Sequence, residues 1–397
     1  MASDLFGRRL TIAPTPTAYF GVGGIAELGP LIAATKRPAA VVVTDAGLIA
    51  TPVIGAVRGV LSAAGITAVV FGGVHANPTA DDIAAGAEVA RSAGPGDAVL
   101  VAVGGGSSID AAKGIALAAV NPQRGRDLDY RHTFGSPALP ILAVPTTAGT
   151  GAETNAFGVV TDAVTKTKFY VGDHSTTPAA AVLDPELTVG LPPQATAATG
   201  FDALTHAIES YLSVMANPWS DGIALQVIAM VAGNLARACA DGSDLEARSQ
   251  LLLASHMAGI GMATTGLGLV HAIGHALGGR YDIAHGTALA MVLAPALAFS
   301  APATRGRLEA LAFALGAGDH GRDSDWNAAA SIDAVLALRA EIGLADRPAR
   351  FGMSEADYPG LAAATLADEV LANAPRQPTA ADVEQILAAA DGDGRIL

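Results

Sequence analysis

The sequence is poor in cysteine and in basic residues, and each shortage excludes a class of protein. Cys239 is the single cysteine among 397 residues, so neither an intrachain disulfide nor a cluster of thiolate metal ligands can form. Basic residues number 23 against 37 acidic ones, and the formal net charge is −14. Because nucleic acids and anionic membrane surfaces are bound by basic surfaces, we expect neither as a partner.

A secretory signal and a membrane-spanning helix are also not expected. The N-terminal segment MASDLFGRRL lacks a basic stretch followed by an apolar run. Residues 254–279 are long and uncharged enough to span a bilayer, but they contain three histidines, which are costly in lipid. A cytoplasmic, reducing location is therefore expected.

The residues that are present suit large buried cores and two domains. Hydrophobic residues make up 51% of the chain and charged residues only 15%. In the first half, apolar runs such as AAVVVT and AVLVAV alternate with alanine-rich segments. We predict strands at 39–44, 67–72, 98–103 and 141–144, and helices near 51–64 and 80–92. Because these strands are apolar throughout, they indicate a parallel sheet covered by helices on both faces.

A change of composition marks the expected domain boundary near residue 190. Pro185, Pro192 and Pro193 lie in the segment VLDPELTVGLPP, and strand-like runs stop there. From Ala195 onward, alanine and leucine recur at helical spacing. We therefore expect residues 1–190 to form an α/β dinucleotide-binding domain and residues 191–397 to form a helical domain.

Three glycines directly follow the third predicted strand, in the motif GGGSSIDAAKG that begins at Gly104. Glycine lets the backbone approach a phosphate closely, and the first turn of the next helix attracts anions. Ser107 is a candidate cap for that helix. The alternative is an ordinary tight turn, with Asp110 and Lys113 as a pair on the helix surface. The position at the end of a strand favours ligand binding.

Two further segments carry groups that suit a nucleotide. Asp45 ends the strand VVVTD, where an acidic residue often accepts hydrogen bonds from ribose hydroxyls and repels a 2′-phosphate. The alternative is a turn or helix-cap residue. The loop PTTAGTGAET, which begins at Pro145, offers hydroxyls for a cofactor amide or diphosphate. Lys168 could neutralise a phosphate or be solvated.

One carboxylate and several imidazoles recur at helical spacing in the second half. Asp202 and His206 are four residues apart in GFDALTHAIES, as are His271 and His275 in GLVHAIGHALGG; His285 follows in DIAHG. Residues four apart share one face of a helix. Converging carboxylate and imidazole groups form a site for a divalent cation such as Zn²⁺ or Fe²⁺. His275 could be a fifth ligand or a proton carrier.

These motifs together resemble those of the iron-containing, or group III, alcohol dehydrogenases over nearly the whole chain. The resemblance is carried by YFGVGGIAEL, VVTDAGL, NPT, GGGSSIDAAK, PTTAGTGAE, LDPELT, GFDALTHAIES and the block from HAIGHALGG to HG. It implies a Rossmann-like α/β N-terminal domain and an all-α C-terminal domain, the architecture shared with dehydroquinate synthase, with the site in the cleft between the domains.

The resemblance also implies roles for individual residues, and it implies a homodimer. His275 matches a histidine that lies near the nicotinamide in relatives. One departure is Ala152, where many relatives have serine. The implied metal ligands are Asp202, His206, His271 and His285. The implied cofactor contacts are Asp45, Asn77, Gly105, Gly106, Ser107, Thr146, Thr147, Val159 and Lys168.

The expected function is that of an NAD-dependent, metal-containing alcohol dehydrogenase or aldehyde reductase, which interconverts a small alcohol and an aldehyde or ketone by hydride transfer. Asp45 favours NAD over NADP, Fe²⁺ is favoured over Zn²⁺, and His275 is the candidate for relaying a proton. Phe157 is expected to line the substrate pocket, with a core position as the alternative. Other candidates are a polyol (glycerol-type) dehydrogenase, a hydroxyacid–oxoacid transhydrogenase and a dehydroquinate synthase-like lyase; few cations lie in 196–286, which disfavours the lyase.

Overall fold

Short, mostly apolar segments of the first half form a six-stranded parallel sheet in the computed structural model. The structure describes residues 12, 15–94, 96–122, 127–161, 168–392 and 394. The sheet order is β1-β8-β5-β4-β2-β3. Its strands are β1 (Thr17–Phe20), β2 (Ala39–Asp45), β3 (Thr67–Val74), β4 (Ala98–Gly104), β5 (Ile141–Pro145) and β8 (Ala180–Leu183).

The inner strands β2, β4, β5 and β8 are buried on both faces, which explains why they are apolar throughout, whereas the edge strands β1 and β3 are partly exposed. In β2, Val41 and Val43 belong to one hydrophobic core, whereas Ala40 and Val42 belong to a second core. Successive side chains of a strand point to opposite faces, so each face needs its own apolar set. The covering helices are α1 (Leu28–Thr35), α2 (Ala46–Ile49), α3 (Pro52–Ala63), α4 (Ala80–Ala93) and α5 (Gly106–Val120).

A separate antiparallel pair, β6 (Gly158–Thr161) and β7 (Lys168–Val171), was not predicted from the sequence. The edge strand β1 and the inner strand β8 were also missed. All four are four residues long. A segment of that length carries too few residues for a period to be distinguished.

The second half is helical in the residues described. Contacts divide the chain between Gly190 and Leu191 into two compact units. The helices of the second unit are α6 (Pro193–Leu212), α7 (Pro218–Ala240), α8 (Leu245–Thr265), α9 (Leu269–Tyr281), α10 (His285–Ala314), α11 (Ser324–Glu341), α12 (Tyr358–Leu366) and α13 (Ala380–Asp391). The predicted fold class, an α/β domain followed by an all-α domain, is confirmed.

Two helices among the described residues, α7 and α10, are long and apolar enough to cross a membrane by length and composition. For α10, 78% of the apolar stretch is buried inside the protein, against 39% for α7. The uncharged segment 254–279 comprises parts of α8 and α9, which meet at an angle of 106°. Packing within the protein therefore accounts for most of the apolar character of α10.

Candidate active site

The glycine motif forms the turn from β4 into α5, beside the turn that follows β5. Gly104 pairs with Pro145 in register, and its carbonyl accepts a hydrogen bond from the Thr146 amide at 3.0 Å. Gly104 has a φ of 151°, and a Cβ there would lie 2.3 Å from Oγ of Ser108. A Cβ on Gly106 would lie 2.8 Å from Cγ2 of Thr150. Glycine at 106 therefore allows the two turns to lie this close, whereas glycine at 104 allows the positive φ and leaves room for Ser108 of the same turn.

Helix α5 begins at Gly106 with Gly105 as its N-cap, and no side chain of the cap accepts from its first amides. A 15-residue helix with uncapped first amides can bind an anion there. The prediction that Ser107 caps this helix was wrong. Ser107 lies inside the first turn, and its hydroxyl instead donates to the carbonyl of Ala76, next to the exposed Asn77.

Asp45 is the N-cap of α2, so the helix-cap alternative is confirmed. Its Oδ1 accepts from the amides of Gly47 at 2.8 Å and Leu48 at 3.1 Å. Both bonds use the same oxygen, and Oδ2 accepts no hydrogen bond from the residues that the structure describes. Capping therefore does not compete with a contact from Oδ2 to a ligand.

Asp110 and Lys113 are not a surface pair, and that alternative was wrong. The side chain of Lys113 is 0% exposed, and its Nζ lies 3.6 Å from Oδ1 of Asp110. Burial lowers the pKa of Lys113 and raises that of Asp110, and the attraction between the two groups opposes both shifts. Oppositely charged residues three apart on a helix usually lie in solvent. The sequence therefore gave no sign that Lys113 is buried.

The buried lysine holds the segment that follows β5. Its ammonium donates to the carbonyls of Ala152 at 2.7 Å and Phe157 at 2.6 Å and to Oδ1 of Asn155 at 3.1 Å. Asp110 accepts from the amide of Val159 at 3.0 Å. The pair thus fixes the backbone at both Phe157 and Val159.

The remaining candidate cofactor residues of the α/β unit lie on loops and on the β6–β7 pair. Thr146 is buried and Thr147 half-buried, while Val159 in β6 is half-buried and Lys168 begins β7 exposed. Phe157 is 43% exposed and packs edge-to-face on Tyr130, with ring centroids 5.7 Å apart. The alternative of a core position for Phe157 was therefore wrong.

In the helical unit, a carboxylate oxygen lies among three imidazoles. Oδ1 of Asp202 is 3.3 Å from Nε2 of His206 on the same helix, α6. It is 3.6 Å from Nε2 of His271 on α9 and 3.6 Å from Nε2 of His285, the first residue of α10. Asp202, His206 and His271 are buried, whereas the side chain of His285 is 39% exposed. Three helices therefore contribute to one group of donors with an open side.

This donor group fits a divalent cation. Oδ1 of Asp202 and Nε2 of His271 are buried without a hydrogen-bond partner among the described residues, and leaving such atoms unpaired is costly. Ligand atoms of Asp202, His271 and His285 lie within 4.8 Å of one another. Bonds of about 2.0–2.2 Å to one ion would span the 3.6 Å from Oδ1 of Asp202 to Nε2 of His271 and to Nε2 of His285. His206 and His275 fall outside this group of three, although His206 contacts Asp202 directly.

The charges in the cluster oppose one another. Burial raises the pKa of Asp202, but the imidazoles of His206, His285 and His271 outweigh it and lower that pKa. Burial likewise lowers the pKa of His271, but two carboxylates outweigh it and raise the pKa to about 9. Burial and the neighbouring imidazoles lower the pKa of His285 to about 3. A cation binding here would displace the proton of His271, because a ligating imidazole must be neutral at the ligating nitrogen.

Two carboxylates behind the cluster were not predicted from the sequence. Glu209 lies 2.6 Å from Nδ1 of His271, and Asp368 lies 2.7 Å from Nδ1 of His275. Glu209 is seven residues after Asp202, on the same face of α6, so its helical spacing was a usable signal. Asp368 is 93 residues from His275, and no local pattern connects the two.

The fold and the two groups of residues, the glycine turn before α5 and the cluster around Asp202, together define a class of protein. Its members have an α/β unit of the kind that binds nucleotides, followed by a helical unit with carboxylate and imidazole groups suited to a metal ion. Two family models match the chain, "Iron-containing alcohol dehydrogenase" over residues 14–185 and "Fe-containing alcohol dehydrogenase family, C-terminal" over residues 196–391. The chain belongs to the iron-containing alcohol dehydrogenase family. The reaction class of this family is the interconversion of an alcohol and a carbonyl compound.

Individual relatives match almost end to end. The chain is 37% identical over 371 residues to the 1,3-propanediol dehydrogenase of Citrobacter freundii, covering 93% of this chain and 95% of the relative. It is 35% identical over 372 residues to the NAD-dependent methanol dehydrogenase of Bacillus methanolicus, covering 94% and 97%. A crystal structure of a 1,3-propanediol oxidoreductase superposes with a TM-score of 0.93 at 34% identity, covering 96% of this chain and all of that one.

Proposed function

We propose that this protein interconverts a small primary alcohol and its aldehyde with NAD(H) and one divalent cation. The observation that carries the proposal is the position of Asp202 Oδ1, buried among three imidazole nitrogens and without a hydrogen bond from the part of the chain that the structure describes. The names of the relatives, a methanol dehydrogenase described as NAD-dependent and a propanediol dehydrogenase, support the cofactor and the size of the substrate.

The cation would be held by Asp202, His206, His271 and His285. Fe²⁺ is proposed as the ion, with Zn²⁺ as the alternative, because imidazole and carboxylate suit both. When bound, such an ion acts as a Lewis acid toward the oxygen of the alcohol or aldehyde. The half-exposed side of His285 is where that oxygen could approach the group. Asp202 contributes a full negative charge, since its depressed pKa keeps it ionised.

The nucleotide would be bound by the α/β unit, which we assign to residues 1–190, with residues 191–397 as the catalytic unit. The amides at the start of α5, with Gly105, Gly106 and Ser107, would receive the diphosphate. Oδ2 of Asp45 is available to the ribose hydroxyls. The other contacts proposed are Asn77, Thr146, Thr147, Val159 and Lys168.

His275 is proposed as the proton carrier. Its Nδ1 is held by Asp368, whose other oxygen accepts from the amide of Val370 at 3.1 Å. The anchored carboxylate fixes the ring and leaves Nε2 to exchange a proton, and the side chain is 27% exposed. Phe157 is proposed to line the substrate pocket, because its ring is exposed and its backbone is fixed by Lys113.

We also propose a cytoplasmic homodimer. Phe20 and Val22, at the end of the edge strand β1, are 46% and 58% exposed, which suits a surface covered by a second copy. Light scattering on the purified protein should give twice the mass of 39.5 kDa. A monomeric mass would refute the dimer and leave the enzymatic proposal intact.

The test of the function is NADH oxidation with a panel of small aldehydes, on protein stripped of metal and then reloaded with Fe²⁺ or Zn²⁺. Turnover should depend on the added metal, and Asp202→Asn should lack it, because the amide keeps the shape of the side chain but loses its charge. Turnover that persists without metal, or an Asp202→Asn variant as active as the wild type, would contradict the metal assignment.

A further inference from the structure

The histidines of α9 differ in their carboxylate partners. His271 faces Glu209 of α6, and His275, one turn later, faces Asp368. Both contacts are made by Nδ1, so in both residues Nε2 is the nitrogen left for other partners. His271 is 0% exposed and Glu209 is 7% exposed, so water competes little for the first of these contacts.

Glu209 is bound by more than the histidine. Its Oε2 accepts from the amide of Gly268 at 3.1 Å as well as from His271, and its Oε1 accepts from the amide of Val270 at 2.6 Å. Gly268 is the N-cap of α9, and Val270 lies in the first turn. Glu209 therefore caps α9 from another helix, a task that the glycine cap cannot perform with a side chain of its own.

The same carboxylate determines which nitrogen of His271 keeps its proton once a cation has displaced the other and the ring is neutral. A carboxylate without a proton only accepts, so Nδ1 must donate to it. Because the two backbone amides fix both oxygens of Glu209, the group cannot turn away from the ring. Nε2 is then the nitrogen that faces Oδ1 of Asp202 at 3.6 Å.

We propose that Glu209 is a positioning residue of the metal site: it holds a proton on Nδ1 of His271 and so keeps Nε2 available to the cation. This inference rests on the metal site proposed above. A carboxylate behind a ligating histidine orients the ring and strengthens it as a ligand, and losing such a partner typically weakens metal binding. Glu209 thus caps the start of α9 and, through His271, also influences the affinity of the site for the metal ion.

Glu209→Gln is the informative variant. If its amide nitrogen faces His271, Nδ1 must accept and the ring proton moves to Nε2. If the amide nitrogen faces Val270 instead, it opposes the backbone amide of Val270, and both groups are donors. In either orientation the imidazole of His271 loses its negatively charged partner. Glu209→Ala is less informative, because a cavity of about 20 Å³ lined by Glu209, Gly268 and Ser300 would let a water molecule replace the carboxylate.

The experiment is competition of metal-stripped full-length protein with a chelator for Zn²⁺. Affinity should fall roughly 10- to 100-fold in Glu209→Gln, whereas Asp368→Asn, the same chemical change behind the other histidine of α9, should bind Zn²⁺ like the wild type. Co²⁺ loading gives a second readout, since its visible spectrum reports the ligand set. Wild-type Zn²⁺ affinity in Glu209→Gln, with or without a lower melting temperature of the metal-free protein, would reduce Glu209 to a helix cap and overturn the inference.

The failure of the metal site itself would look different. Asp202→Asn binding Zn²⁺ as tightly as the wild type would refute the proposed site and, with it, the inference. If Glu209→Gln does not fold, the wild type still provides the test: in the Zn²⁺-loaded protein labelled with ¹⁵N-histidine, NMR should find the His271 proton on Nδ1. A proton on Nε2 would overturn the inference.

Discussion

Oδ1 of Asp45 caps α2 and Oδ2 is proposed to contact the ribose hydroxyls, and substitutions can separate these two roles. Asp45→Asn keeps an oxygen that accepts from the amides of Gly47 and Leu48, so the cap of α2 survives while the charge is lost. We expect the preference for NADH over NADPH, measured as the ratio of kcat/KM, to fall by roughly tenfold, or about 1.4 kcal/mol. Asp45→Gly removes cap and charge together, and thermal unfolding serves as its control. An unchanged ratio in both variants would remove Asp45 from the specificity argument.

His275 and Asp368 should act as one unit. We expect His275→Asn to lower kcat by roughly 100-fold or more, the usual scale of a lost acid–base group. Asp368→Asn should lower kcat less, because the ring remains but its Nδ1 loses the anchored acceptor. KM for NADH should stay near the wild-type value, since neither residue is proposed to hold the nucleotide. The measurement is steady-state kinetics on fully metal-loaded protein. A wild-type kcat in His275→Asn would rule out His275 as the proton carrier.

At the scale of the element, the segment from Ala152 to Val159 depends on one ion pair of α5, formed by the buried Lys113 and the half-buried Asp110. Lys113→Met removes three hydrogen bonds and deprives the half-buried Asp110 of its counter-charge. We expect a loss of about 3–5 kcal/mol in the free energy of unfolding, measured with denaturant. Adding Asp110→Asn to Lys113→Met should recover part of this loss. A loss below about 1 kcal/mol would show that the pair is dispensable.

The elements also show what the sequence could reveal. The strands β2, β3, β4 and β5 were predicted because apolar runs of five to eight residues carry a clear signal. The candidate site residues Asp202, His206, His271 and His275 were singled out because residues four apart share a helix face. Lys113 and Asp368 could not be assigned in this way, because their meaning comes from burial and from a partner distant in sequence. Local pattern identifies groups that lie on one element, and only the fold identifies what holds them.

At the scale of the whole molecule, a bound cation should link helices that approach one another only in the folded state. Asp202 and His206 come from α6, His271 from α9 and His285 from the first turn of α10, so the unfolded chain lacks the donor group. A ligand that binds only the folded state stabilises it by about 2.7 kcal/mol when its free concentration is 100 times Kd. Thermal unfolding of stripped protein should therefore shift upward as Zn²⁺ is added, and Asp202→Asn should show little shift. An equal shift in both proteins would mean that the stabilising ion binds elsewhere, and this group of donors would then lose its part in stability as well as in catalysis.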